Sequence, residues 1–351
     1  MTDIPRPQPE PKRGWKKLLF ALFVFMLLPA ALRSLLPIDE TMMLFVPAMA
    51  ACALVGWWAG GRMFSALLWI ALTVFVARQD VAATSAYGSL VRGWALLLAG
   101  AFGVASIVRL DRPFFTKALA SVGIALVAGL LMTALGPTRW SGSVDVVSAE
   151  FAQRNAEQME SMNKAIELNP AQWKDLSARV PSFADFPNSL QSMLDGTSRI
   201  GKLMFPALLA LESLAALALA WATYHRLSRT RIGAPLAPLR EFRFNDQLVW
   251  GLIVGLVVLV LPNLANARSL GANLVLFFGA LYAMRGLGVL AWFMAPGTFA
   301  MGLIAGAVLV WVPVVNVVAI LGFMTLGVTA LGLGVGDTWA DWRSRARSTL
   351  S

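Results

Sequence analysis

Long apolar runs separated by short polar stretches constrain the fold of this chain more than any other feature. An α-helix needs about 20 mostly apolar residues to cross the roughly 30 Å hydrocarbon layer of a bilayer. Every backbone N–H and C=O in that layer must be paired within the protein, which favours helices. The candidate spans are residues 18–36, 42–59, 63–77, 90–108, 117–136, 203–224, 246–262, 271–294, 298–314 and 316–335. Because the third run is short and only a break near Pro313 separates the last two, the sequence predicts an all-α, polytopic transmembrane helix bundle of eight to ten spans.

The balance of apolar and charged residues also indicates a membrane environment. Hydrophobic residues make up 58% of the 351 residues and charged residues 14%, and the mean hydropathy is +0.68. Soluble domains carry about a quarter charged residues. The net charge of +10 comes from Lys and Arg between the apolar runs, not from a basic face interleaved with aromatic residues. This placement predicts a lipid bilayer, and no nucleic acid, as a partner.

The distribution of Lys and Arg predicts the orientation of the spans, because cytoplasmic loops are enriched in these residues. If the N-terminus lies inside, the short outside loops carry Arg78, Arg92 and Arg268. The inside segments then carry Arg6, Lys12, Arg13, Lys16, Lys17, Arg62, Arg109, Arg112, Lys117, Arg226, Arg229, Arg231, Arg240, Arg243, Arg343, Arg345 and Arg347. The sequence therefore predicts a multi-pass protein of the bacterial inner (cytoplasmic) membrane with both termini in the cytoplasm.

Changes of composition along the chain divide it into segments. Residues 1–17 are Pro-rich and polar, which predicts a disordered cytoplasmic tail. Residues 18–136 and 201–335 predict an N-terminal and a C-terminal transmembrane bundle, each of about five spans. Residues 336–351 form a basic cytoplasmic tail, and residues 137–200 form a polar, helical, extracytoplasmic insertion.

An amphipathic helix is predicted inside this insertion. Ser148 is its candidate cap, and Asn169-Pro170 stops it after Leu168. The insertion has three open interpretations, which are a helical cap on the outer ends of the spans, a lid and a docking surface for a partner.

Catalytic motifs are absent from the sequence. It contains no Gly-rich phosphate loop followed by Lys-Ser/Thr, no His-Glu-x-x-His and no Gly-x-Ser-x-Gly in a strand context. One cysteine, Cys52, and one histidine, His225, cannot supply a disulfide or a zinc site. We therefore predict that the chain is not an enzyme, with no catalytic residues, no metal and no cofactor.

Two ionisable residues within candidate spans stand out, because charges in the hydrocarbon layer usually face a cavity or a partner. In the predicted topology Glu212 and Arg285 lie about 18 Å and about 14 Å from the inner ends of their spans. We predict that they form an intramembrane ion pair or jointly line a polar cavity. The alternative is a buried pair that only fixes the register of the helices.

Further polar residues are candidates for lining such a cavity. Tyr282 lies one helical turn before Arg285, Asn273 lies near the outer loop around Pro262, and Asn316 follows the break at Pro313. A Pro-interrupted membrane segment can expose backbone groups to a binding cavity. Solvation of a loop is the alternative reason for the two Asn residues.

Gly-xxx-Gly pairs occur at Gly56/Gly60, Gly251/Gly255, Gly302/Gly306 and Gly332/Gly336. They permit close packing of helices but do not establish a dimer.

Three stretches in the C-terminal half carry a family resemblance. They are Pro235-Leu236-Ala237-Pro238-Leu239-Arg240-Glu241-Phe242-Arg243, Tyr282-Ala283-Met284-Arg285-Gly286-Leu287 and Gly336-Asp337-Thr338-Trp339-Ala340-Asp341-Trp342-Arg343. In this order, after a span with Pro206 and Glu212, they resemble the YybS-like family of bacterial predicted membrane proteins (domain of unknown function 2232). Members of that family look similar to the membrane-embedded substrate-binding components of energy-coupling-factor vitamin transporters. The resemblance implies a small-solute site between helices and an ATPase supplied by other chains.

Two functions follow as expectations. The first is a small-solute binding or transport component that acts with other chains, with a closed cavity of about 300–1,000 Å³ lined by Arg285, Tyr282, Glu212 or the Asn residues. The alternative is a structural or assembly factor of the bacterial cell envelope, with a well-packed bundle and an exposed apolar patch on residues 137–200 as the surface for protein partners.

Overall fold

Helices make up most of the part of the chain that the computed structural model describes. That part comprises residues 14–79, 85–135, 140–180, 185–228, 230–294 and 316–345, with residues 298, 301, 302 and 305. Its α-helices are α1 (Trp15–Ala31), α2 (Met42–Trp58), α3 (Met63–Gln79), α4 (Ala86–Val108), α5 (Phe114–Leu135), α6 (Trp140–Leu168), α7 (Pro170–Arg179), α8 (Phe186–Leu203), α9 (Phe205–Leu227), α10 (Val249–Val260), α11 (Arg268–Phe293) and α12 (Asn316–Ala340). Short 3₁₀ helices lie at Leu239–Glu241, Asp246–Leu248 and Pro262–Ala267. No strand occurs among these residues, and the prediction of an all-α bundle is confirmed.

Five helices in the described residues are long and apolar enough to cross a bilayer. They are Ala86–Val108, Phe114–Leu135, Phe205–Leu227, Pro262–Phe293 and Leu321–Ala340. Three shorter apolar helices, Met42–Trp58, Met63–Arg78 and Asp246–Val260, coincide with further predicted spans. The predicted span 298–314 lies almost wholly outside the described residues. The chain is therefore a polytopic membrane protein in contact with lipid.

The first predicted span is shorter than expected. It was predicted over residues 18–36, but α1 ends at Ala31 and residues 32–41 are not α-helical. Pro29 lies in the last turn of α1, and the next proline, Pro37, lacks the N–H that a continuing helix would need. The non-helical residues 32–41 are called the α1–α2 segment below.

The chain divides into two compact units. Unit 1 comprises the described residues up to Lys202 together with Glu212–Leu236, and unit 2 comprises Leu203–Leu211 together with the described residues from Ala237 onward. Helix α9 therefore contributes its first turns to unit 2 and the rest of its length to unit 1.

Within unit 1, helix α2 is the central element and is buried along most of its length. It packs against α3 and α4, and α4 packs against α5. The side chains of Ala48, Ala51 and Cys52 are small and allow this close approach, because small side chains let helix backbones come together in a membrane. Cys52 is fully buried.

The insertion of unit 1 is helical, as predicted, but its first helix begins earlier than expected. The helix was predicted from Ser148, whereas α6 starts at Trp140 and ends at Leu168 as predicted. Ser148 therefore lies inside the helix and does not cap it. The error arose because Ser148 offers a cap and the preceding residues 141–147 contain a glycine and three valines, which favour helices only weakly, although nothing in them prevents helix formation.

Within unit 2, helix α11 packs against both α10 and α12. Gly251 and Gly255 of α10 face Phe278 and Leu274 of α11, so this predicted glycine pair does mark a close contact. The 3₁₀ helix Leu239–Glu241 also packs on α11. These contacts position the polar residues described next.

Candidate functional site

The three stretches that carry the family resemblance meet in one polar cluster of unit 2. Nε of Arg285 donates to Oδ2 of Asp337 at 2.9 Å, and Nη2 of Arg343 donates to the same oxygen at 2.7 Å. Nη1 of Arg343 also donates to the backbone carbonyls of Arg240 and Phe242, at 3.0 and 3.2 Å. Asp337 thus connects the third stretch to the second, and Arg343 connects it to the first.

This cluster is buried and close to electrically neutral. Asp337 is 1% exposed, and the Arg285 and Arg343 side chains are also buried. Arg285 makes a second ion pair with the half-exposed carboxylate of Asp246, and its guanidinium lies over the ring of Phe244. Two arginines and two aspartates balance, so the cluster joins α11, α12 and the residues before α10 without leaving a net charge.

Tyr282 belongs to the same cluster and is fully buried. Its ring packs against Phe244 at 5.0 Å between ring centroids, and its hydroxyl donates to the carbonyl of Asp246 at 3.4 Å. The polar groups of Tyr282 and Arg285 are therefore engaged by protein atoms.

A second buried polar cluster lies in unit 1 around Glu212, where the α1–α2 segment covers the carboxylate. Oε2 of Glu212 accepts a hydrogen bond from the backbone N–H of Ile38 at 3.2 Å. Oε1 is buried and has no hydrogen-bond partner among the described residues. Glu212 is 7% exposed, so the α1–α2 segment and the neighbouring helices shield it almost completely.

The α1–α2 segment is held in place by Arg154 of the insertion. Nη1 of Arg154 donates to the carbonyls of Arg33 and Leu36 at 3.2 and 3.0 Å, and Nη2 donates to the carbonyl of Pro37 and to Asp39, both at 3.2 Å. These bonds capture carbonyl groups that a helix would have paired internally, which explains why this non-helical backbone is tolerated.

Further contacts fix Arg154 itself. Nε donates to Glu150 one turn earlier in α6 at 2.9 Å, and the guanidinium lies over the rings of Tyr87 and Phe151. Burial by itself would lower the pKa of Arg154, but Tyr87, Asp39 and Glu150 outweigh this and raise the pKa, so the guanidinium keeps its charge. Arg33 of the α1–α2 segment pairs with Asp39 at 2.9 Å and with Glu157 of α6 at 3.4 Å.

The side chains beside Glu212 along α9 are also polar. The hydroxyl of Ser213 accepts a hydrogen bond from Nε1 of Trp94 on α4 at 2.9 Å. The hydroxyl of Tyr87, also on α4, donates to the carbonyl of Pro37. Helix α4 therefore contacts both the α1–α2 segment and the helix that carries Glu212.

The remaining predicted site residues have distinct environments. The side chain of Asn273 bonds backbone groups at the start of α9. Its Oδ1 accepts a hydrogen bond from the N–H of Ala207 and its Nδ2 donates to the carbonyl of Leu203, both at 2.9 Å. The side chain of Asn316 lies outside the described residues. Glu212 belongs to unit 1 and Arg285 to unit 2, each with the partners given above, and their pairing stays a prediction.

Two pockets in the described part of the chain are lined by other residues. One is a shallow surface groove on α6 between Glu157 and Leu168. The other is a crevice of about 30 Å³ lined by residues that include Gly56, Arg62 and Tyr224, large enough for about one water molecule. Neither contains a residue predicted to line a cavity.

The residues that organise both clusters were not predicted from the sequence. Asp337 was part of a recognised stretch, but it lies two residues past the end of the predicted span, in the predicted tail, whereas α12 continues to Ala340. Arg154 and Asp39 lie in polar segments, where a charged residue carries no sequence signal of burial.

A family model described as a predicted membrane protein (DUF2232) matches residues 21–326. The match extends through the N-terminal half, which carries none of the three stretches, and ends before the stretch at Gly336–Arg343. Among curated proteins and among solved structures, none matches this chain. Because the family model covers well over half of the chain, the resemblance is confirmed, and the protein belongs to the DUF2232 family of predicted membrane proteins.

Proposed function

We propose that this protein is a non-enzymatic, membrane-embedded component that binds or transports a small solute and acts with other chains. The observation that carries the proposal is the buried carboxylate of Glu212, whose Oε1 lacks a hydrogen-bond partner in the described residues. Ionisable groups within spans usually serve a substrate or ion pathway, because burying them in lipid is costly.

The surroundings of Glu212 support this role. The carboxylate lies under a non-helical segment, and an arginine of the insertion holds that segment. The backbone hydrogen bonds of the α1–α2 segment lie in turns at its two ends, and side chains of Arg154 and Tyr87 hold its middle. Such a segment can open without unfolding a span. We therefore propose that the insertion acts as part of a lid, through Arg154.

Purification from native membranes tests the proposal when it is followed by mass spectrometry of bound small molecules and accompanying chains. We expect the wild-type protein to retain a solute that Glu212→Gln loses by tenfold to a hundredfold, since a hydrogen bond to a charged group contributes about 1.5–3 kcal/mol. Asp195→Asn, which changes an exposed carboxylate of α8, is the matched control and should retain the solute. Equal solute content in all three proteins, or none in any, would contradict the proposal.

A second candidate function is an assembly factor of the cell envelope. The observation in its favour is exposed apolar surface on the insertion, where Leu168 is 79% and Met193 is 59% exposed. The same purification separates the two candidates. An accompanying ATPase supports transport, whereas a wall-synthesis or division protein without a bound solute supports assembly.

We also propose the inner membrane as the location, with both termini in the cytoplasm. The supporting observation is the concentration of Lys and Arg in alternate loops. A reporter that is active only in the cytoplasm, fused after Ser351, should be active. The same reporter inserted in the exposed turn at Asn169 between α6 and α7 should be inactive. The reverse pattern would overturn this orientation.

A further inference from the structure

We propose that Glu212 is a proton-binding site, protonated while the α1–α2 segment is closed, and that loss of this proton releases the segment. The inference rests on the proposed function in one respect, since it identifies the coupling ion of the same site. Its test does not depend on finding a solute.

The hydrogen bonds of Glu212 are too few for an ionised carboxylate. Two carboxylate oxygens offer about four lone-pair sites, and in the described residues they receive a single N–H, from Ile38. A buried charge without compensating hydrogen bonds or a counter-ion costs several kcal/mol and is usually neutralised instead. A proton removes that charge and, unlike a metal ion or a solute, needs no cavity.

The charged and titratable groups around Glu212 do not replace the missing partners. Asp39 of the α1–α2 segment is a further carboxylate near Glu212, Glu150 of α6 is paired with Arg154, and Tyr87 of α4 donates its hydroxyl to the carbonyl of Pro37. Arg154 is the nearby cation, but its three donor nitrogens already bond Glu150, Asp39 and the carbonyls of the segment.

An uncharged hydrogen-bond donor nearby is also already used. Nε1 of Trp94 donates to the hydroxyl of Ser213 rather than to Glu212. The carboxylate therefore has one backbone donor, the neighbouring carboxylate of Asp39, and a nearby cation, Arg154, whose donor nitrogens are all used. The attraction of Arg154 favours the ionised form, but burial and the shortage of donors outweigh it and favour the protonated form.

Deprotonation would change the balance between closed and open arrangements. The proton leaves to solvent, and the resulting carboxylate is stabilised by water but not by its closed surroundings. The closed arrangement is thus stabilised at low pH and loses stability as the pH rises and the proton dissociates. Opening of the α1–α2 segment hydrates the carboxylate and exposes the site.

Infrared difference spectroscopy of the full-length protein in lipid measures the proton directly. We expect a C=O stretching band of a protonated carboxyl at about pH 7 that is missing in Glu212→Gln. Glu157→Gln, which alters a half-exposed glutamate of the same insertion, should keep the band. If the wild-type and Glu212→Gln spectra agree at this pH, Glu212 is ionised and the inference is overturned.

Hydrogen exchange at residues 36–41 tests whether loss of the proton from Glu212 is coupled to opening of the α1–α2 segment. After correction for intrinsic exchange, protection in the wild type should fall at least tenfold between about pH 6 and about pH 9, while Glu212→Gln should stay protected at both. A parallel fall in both proteins would refute the coupling. If Glu212→Gln loses a bound solute but the wild-type protein shows no carboxyl band, the proposed function stands and the proton site is rejected. If the wild-type protein shows the band but no solute is found, the proton site stands and the proposed function is rejected.

Discussion

Replacement of Asp337 by alanine is expected to destabilise unit 2 by about 3–5 kcal/mol, the range typical when one member of a buried ion pair is removed. Asp337 is the shared acceptor of Arg285 and Arg343. Its loss would leave two buried guanidinium groups with the half-exposed Asp246 as the remaining carboxylate partner. Thermal unfolding of the purified protein in detergent, followed by circular dichroism, should show a lower midpoint and less properly folded protein.

Asp175→Ala provides the matched control for this change. Asp175 also pairs with an arginine, Arg179, but both side chains are largely exposed, and exposed pairs contribute about 0–1 kcal/mol. A triple replacement of Asp337, Arg285 and Arg343 by leucine or methionine should recover much of the stability, because it removes the unpaired charges as well. A single Asp337→Ala variant as stable as the Asp175→Ala variant would show that the cluster does not hold unit 2 together.

Substitution of Gly286 by alanine is expected to separate α11 from α12 and to prevent correct packing of unit 2. A Cβ at Gly286 would overlap the carbonyl of Ala330, and a Cβ at Gly334 would overlap the carbonyl of Tyr282. These neighbours are backbone atoms, which cannot rotate away as a side chain can. Overpacking costs about 1–3 kcal/mol where side chains can adjust, and we expect a larger loss here, measured as a fall in monodisperse protein on size-exclusion chromatography.

The same two helices offer controls that differ only in position. Gly279 of α11 and Gly332 of α12 have open space where a Cβ would lie. Alanine at either position should be neutral or slightly stabilising, because alanine is the better helix former. If Gly286→Ala and Gly279→Ala behave alike, the close approach of α11 and α12 is not needed for folding.

The glycines of the C-terminal half show which features of helix packing could be predicted from the sequence and which could not. The repeat Gly332/Gly336 marks α12 as a helix able to pack closely, but the contact with α11 uses Ala330 and Gly334, which lie two residues earlier. Spacing of small residues identifies a helix that can approach another. Which face makes the contact depends on the partner helix and its rotation, and those follow from tertiary packing.

The polar residues show the same limit. Glu212 and Arg285 were recognisable because an ionisable residue within an apolar run is rare. Their partners in the structure are Ile38 for Glu212 and Asp337 and Asp246 for Arg285. These lie in segments where polar residues are common, so no local pattern distinguishes them.

The sequence by itself determined that this protein is a helical membrane protein, roughly where most of its spans lie and to which family it belongs. Those features depend on hydrophobicity over windows of about 20 residues and on local motifs, which are readable along the chain. Only the tertiary structure decided that Asp337 and Arg343 join the three family stretches and that Arg154 holds the α1–α2 segment over Glu212. The contacts that connect different segments join residues about 50 to 170 positions apart, and their energy comes from burial and hydrogen bonding that exist only after the helices have packed.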